Sequence, residues 1–89
     1  MAALFGVKIL TPGKAVYEGN ASSLVVPAEF GYLGVLAHHA PIIARLKPGR
    51  ITLRDSLGKI TTFGLNKNGF LEFSDNSATL ILDSLELPS

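Results

Sequence analysis

Cysteine is absent from the chain. Disulfide staples, thiolate zinc sites and a cysteine nucleophile are excluded with it. Many small secreted domains depend on disulfides, so this absence leans toward a reducing compartment. Charge is also scarce, at 17% of residues, while apolar residues make up 47%. That much apolar surface offsets the entropy of ordering, and the chain is not of the disordered class. So little charge on a small domain points to a surface partly covered by something else. No apolar run approaches the ~18 residues of a spanning helix. The start, Met1-Ala2-Ala3-Leu4-Phe5-Gly6, lacks a basic region followed by a long apolar run and does not read as a signal peptide. Helical periodicity of the i, i+3, i+4, i+7 kind is missing too, so helix content is expected near zero.

What the chain does have is turn chemistry at regular intervals. The signals are Thr11-Pro12-Gly13, Pro27-Ala28-Glu29, His38-His39-Ala40-Pro41, Lys47-Pro48-Gly49, Ser56-Leu57-Gly58, Asn66-Lys67-Asn68-Gly69 and Asp75-Asn76-Ser77. Between them lie short runs rich in Val, Ile, Leu, Phe and Thr. A spacing of about 8–12 residues predicts an all-β sandwich or barrel. With 89 residues and no linker, residues 1–89 read as one domain. Ile51-Thr52-Leu53-Arg54 alternates, with Ile51 and Leu53 facing inward. The expected core is Ile51, Leu53, Phe63, Phe70, Leu80 and Leu82. Asn68-Gly69 is read as the type I′ turn of a hairpin, because that turn needs positive φ twice.

No reactive constellation emerges. His38 and His39 are neighbours, and adjacent residues on an extended chain face opposite ways, so the pair is poorly placed to share a metal. One imidazole is expected to pack in a loop and the other to be wet. No Gly-x-Ser-x-Gly elbow or phosphate loop is present. The expectation is a non-enzyme with no catalytic, cofactor-binding or metal residues and no cofactor. The charge is unevenly placed: residues 41–70 carry a net +5 and residues 71–89 a net −4. This reads either as a scattered solvated surface or as a basic edge meeting an acidic partner. Nucleic acid is a poor candidate, since the cations are unclustered and lack interleaved aromatics. Gly31-Tyr32-Leu33-Gly34-Val35-Leu36 reads as a bulged strand or as an edge surface for a protein partner.

The order of the segments resembles the epsilon subunit of F-type ATP synthases. Lys8-Ile9-Leu10-Thr11-Pro12 followed by Val16-Tyr17-Glu18-Gly19 is similar to that family's opening. Leu24-Val25-Val26-Pro27-Ala28-Glu29 continues the match. The most characteristic stretch is Gly31-Tyr32-Leu33-Gly34-Val35-Leu36, then His39-Ala40-Pro41-Ile42-Ile43 and Leu46-Lys47-Pro48-Gly49. Asn68-Gly69-Phe70-Leu71-Glu72 and Leu82-Asp83-Ser84 resemble the family's close. The resemblance implies a sandwich of ten strands in two five-stranded sheets. It implies a rotor part of the central stalk that links the gamma subunit to the c-ring and couples ion-driven rotation to ATP synthesis. It places Thr11, His39 and Ala44 toward gamma, and Gly31, Tyr32, Leu33, Gly34 and Val35 toward the c-ring. Membrane association would come only through the complex, on the cytoplasmic side of the bacterial inner membrane or the equivalent organellar face. Two positions depart from the family: Tyr32 stands where an acidic residue is usual, and Ala37-His38 replaces a Pro-Gly or Pro-Asn. The family also continues into an inhibitory helical hairpin, whereas this sequence ends at Leu87-Pro88-Ser89, so inhibition and nucleotide sensing are not carried over. The rival readings are a sandwich that docks peptide or carbohydrate on a sheet edge, and a small hydrolase using His38 or His39.

Overall fold

The computed structural model describes residues 3–86, and Met1, Ala2 and the Leu87-Pro88-Ser89 end lie outside them. The order is β1 (Phe5–Thr11), β2 (Lys14–Ala28), β3 (Gly31–Leu36), β4 (Ile42–Leu46), β5 (Gly49–Asp55), β6 (Ile60–Leu65), β7 (Gly69–Ser74) and β8 (Ser77–Leu82). No helix occurs among the described residues.

Local chemistry sets most of the corners. β1 and β2 join through Pro12-Gly13, where proline presets φ and Gly13 takes φ 85°, the residue pair of a type II turn. Between β5 and β6, Asp55 folds the loop over itself. Its Oδ1 accepts from the amides of Leu57 and Lys59, each at 2.9 Å. The β7–β8 hairpin turns on Asp75 and Asn76 at φ 50° and 55°, the left-handed pair of a type I′ turn.

Pairing arranges the strands in two layers. The first runs β4-β7-β8-β1 and ends on the N-terminal half of β2. The second runs β3, the C-terminal half of β2, β5 and β6. All these neighbours are antiparallel except β1 and β8, which run parallel. β2 belongs to both layers, and its pairing with β5 shifts register between Ala21 and Ser23. Such a bulge raises local twist and bends the strand, which carries it from one layer into the other.

The core lies between the layers. Leu24, Val26, Ile51, Leu53 and Phe63 meet Val7, Ile9, Leu71, Phe73 and Leu80. The Phe5 and Phe73 rings pack edge to face, 5.6 Å between centroids. Among the described residues no charged or polar side chain is buried.

Three expectations are corrected. The described strands number eight, not ten. β2 does the work of two strands, and the last strand of the second layer is reduced to one bridge between Gly64 and Glu86. Phe70 is 48% exposed rather than in the core. It alternates with the inward Leu71 and Phe73 and packs outside beneath the Arg45 guanidinium, 5.7 Å from the ring centroid. Asn68-Gly69 is not a hairpin turn, because β6 pairs β5 while β7 pairs β4 and β8. The segment crosses between layers. Gly69 is needed there for space: a Cβ would sit 2.6 Å from Leu82 Cδ2 and 2.8 Å from the Ile81 carbonyl.

Candidate interaction surfaces

The two histidines separate as adjacent residues should. His38 is exposed and adopts φ 64°, a left-handed conformation unusual outside glycine. Asn76 holds it there: its Oδ1 accepts from the His38 amide at 2.7 Å, and its Nδ2 donates to the Leu4 carbonyl at 2.9 Å. One hairpin tip therefore ties the β3–β4 connection to the start of β1. His39 turns the other way. Its ring packs edge-on against Phe73 at 5.8 Å, and its Nδ1 donates to the Ala40 carbonyl at 2.7 Å. No group of three His, Cys, Asp or Glu side chains suited to a metal forms among the described residues.

The residues expected to face gamma do not form one patch. All lie on or beside the first layer, but Thr11 ends β1 while His39 sits at the opposite end, against Phe73. Ala44 is only 4% exposed, with its methyl turned into the core. Its neighbours Ile43 and Arg45 carry that part of the surface. Register continues it along an outer row of Arg45, Phe70, Ile81 and Leu10.

The residues expected to face the c-ring are contiguous. All five lie on β3, which pairs only with β2 and so forms an edge. Alternation splits them: Tyr32 and Gly34 face out, Gly31 and Leu33 are half-buried, and Val35 is buried. Tyr32 is 60% exposed, yet its hydroxyl is anchored by the Arg50 amide, which donates to it at 3.2 Å. The ring thus reaches over β2 toward the start of β5. Sequence reading missed this contact, because nothing in the spacing of residues 32 and 50 announces it.

Two bonded layers around an apolar core, with apolar strips on the outside and β3 bonded on one side only, define a small all-β sandwich. The chain belongs to the family described as ATP synthase, Delta/Epsilon chain, beta-sandwich domain, which matches residues 4–88. The ATP synthase epsilon chain of Protochlamydia amoebophila (strain UWE25) is 43% identical over 83 residues, covering 93% of this chain and 56% of its own length. That of Latilactobacillus sakei subsp. sakei (strain 23K) is 42% identical over 82 residues, covering 90% and 56%. The chain therefore spans a little over half the length of these relatives. A chain in the cryo-EM structure of Euglena gracilis mitochondrial ATP synthase (OSCP/F1/c-ring) matches with a TM-score of 0.88 over 98% of this chain and 55% of its own, at 17% identity. A chain from the Tetrahymena thermophila mitochondrial ATP synthase central stalk and c-ring matches at TM-score 0.74 over 90% and 63%, at 20% identity. At these identities the likeness is one of fold, and it shows the sandwich expected from the sequence.

Proposed function

We propose that this sandwich is a non-catalytic part of the central stalk of an F-type ATP synthase, linking gamma to the c-ring and coupling ion-driven rotation to ATP synthesis. The observation that carries the reading is the family match across residues 4–88, supported by 43% identity to an epsilon chain. The domain would sit on the cytoplasmic face of a bacterial inner membrane, or its organellar equivalent, and would be held there by the complex. Exposed apolar side chains on both outer faces suit a domain covered by neighbours in its working state.

In this reading the outer edge of β3 meets the c-ring, with Tyr32 and Gly34 presented and Leu33 and Val35 shaping the strand from behind. Thr11, His39 and the Ala44 region meet gamma, and Ile43 and Arg45 supply the contact in place of the Ala44 methyl. Tyr32 offers aromatic area at low entropy cost at the position where the family resemblance implies an acid. The ring contact is then less salt-dependent than one made by a carboxylate, because exposed charges are screened within ~8–10 Å. The deciding experiment is native mass spectrometry of the chain mixed with gamma and c-ring. A complex containing all three supports the proposal, and its absence under conditions where a full-length epsilon chain assembles rejects it. Comparing Tyr32→Glu with Tyr32→Ala in that complex locates the ring contact. Unchanged ring association in both would remove Tyr32 from it.

A further inference from the structure

The outer faces of the two layers handle charge differently. On the first, Lys8 lies 3.6 Å from Glu18, and Arg45 at its edge lies 3.7 Å from Glu29. On the second, Arg50 and Arg54 project from the same side of β5, and neither has a carboxylate within ion-pair distance among the described residues. Two acids lie nearby. Asp55 is next in sequence, but its Oδ1 is occupied by the turn amides of Leu57 and Lys59. Glu86 lies over Gly64, which pairs with Arg50 on the ladder, and it is exposed and makes no ion pair among the described residues.

The arginines stand among apolar side chains. Register places Leu36, Ser23, Arg54 and Ile60 in one outer row, with Val25 between Gly34 and Thr52 in the next. Leu36 is 63% exposed and Ile60 55%. Tyr32 closes the other end beside Arg50. Arginine and tyrosine are enriched at the centres of protein interfaces, and an apolar surround is what such centres exclude from water. A lipid surface is recruited by clusters of four to eight cations, and single-stranded nucleic acid by successive aromatic platforms. This face has neither.

We propose that the outer face of the second layer docks an acidic segment of a protein partner, whose carboxylates meet Arg50 and Arg54 while apolar side chains between them cover Val25 and Leu36. The two arginines are four residues apart on one strand, or ~13 Å at about 3.3 Å per residue. A helix carries two acids on one face when they are seven residues apart, ~10.5 Å at 1.5 Å rise, and the long arginine side chains span the remaining difference. The inference rests on the unpaired arginines and their apolar surroundings, and stands whether or not the stalk reading holds.

The test is a backbone-amide NMR titration of the whole chain with a synthetic helical peptide bearing two glutamates seven residues apart, with leucines three and four residues after the first so that all share one face. Expected are shifts confined to outward residues of β2, β3, β5 and β6. Affinity should fall about tenfold between roughly 50 and 300 mM salt. The Arg50→Glu/Arg54→Glu pair should abolish the shifts, a peptide with lysines for the glutamates should restore them on that variant, and Arg50→Gln/Arg54→Gln should weaken them. Each variant keeps its wild-type circular dichroism, since both side chains are exposed. Four results overturn the proposal: no shifts at millimolar peptide, shifts centred on the first layer, no recovery with the charge-swapped peptide, or binding instead to anionic phosphatidylglycerol vesicles with the same arginine dependence.

Discussion

At the residue scale, size and hydrophobicity misjudged one side chain and alternation placed the others. Ile51, Leu53, Phe63, Leu80 and Leu82 are buried as read, but Phe70 is not. The cue was present: Glu72 must face water, and Phe70 shares its side of the strand, leaving Leu71 and Phe73 for the core. The two glycine backbones at 34 and 69 differ in a way invisible to sequence. Nothing lies within 4 Å of a Cβ built on Gly34, whereas one on Gly69 meets Leu82 and a backbone carbonyl. Gly69→Ala should therefore cost about 1–3 kcal/mol by overpacking, and Gly34→Ala should stay within about half a kcal/mol of neutral. Urea unfolding midpoints of the two variants check this, and equal values would contradict the crowding at Gly69. Leu80→Ala should cost about 2–5 kcal/mol and Phe70→Ala well under that, since only the first opens a cavity in the core.

At the element scale, strands were legible wherever one face is buried, because period-2 alternation and turn residues agree there. Connectivity was less so. An Asn-Gly pair suits a type I′ turn, but here Asp75-Asn76 makes that turn and Asn68-Gly69 crosses between layers. The difference is made by partners distant in sequence, which a local signal cannot report. The placement of the expected gamma-facing residues was equally hidden: Ala44 is inward by the parity of β4, while Thr11 and His39 lie at opposite ends of the layer. Asn76 offers a test of how the ends are tied. Asn76→Gly keeps the left-handed backbone accessible while deleting both side-chain hydrogen bonds. It should cost about 1 kcal/mol and speed amide exchange at His38 before that in the middle of β8. Uniform acceleration across the chain would show that the clasp has no local role. Asp55→Ala should likewise loosen the β5–β6 turn, at about 1–2 kcal/mol for two lost bonds to a carboxylate.

At the whole-molecule scale, the all-β architecture was the most legible feature and the strand count the least. A sequence shows where turns fall, but not that one fifteen-residue strand serves both layers. Circular dichroism should be β-dominated, and a helical share near a quarter of residues would contradict the fold. Closure depends on β1 meeting β8, with Gly6 opposite Ser77. Contacts so distant in sequence carry a large loop-closure cost, so refolding should take milliseconds to seconds rather than microseconds. Stopped-flow tyrosine fluorescence of a Tyr32→Phe variant, which leaves Tyr17 packed edge to face on Phe63 at 6.2 Å, would follow it.

The path of β2 has a mechanical consequence. In a sandwich joined only by side-chain packing, a tangential load on one layer is resisted by contacts that slide. Here the layers share a continuous stretch of main chain, bonded to β1 on one side of the bend and to β3 and β5 on the other. Shear between the layers must therefore peel ladder hydrogen bonds at the bend or stretch covalent backbone. Pulled in a single-molecule apparatus through anchors on β8 and β6, the domain should yield abruptly at one force instead of creeping. Such a body passes torque on with little internal twist.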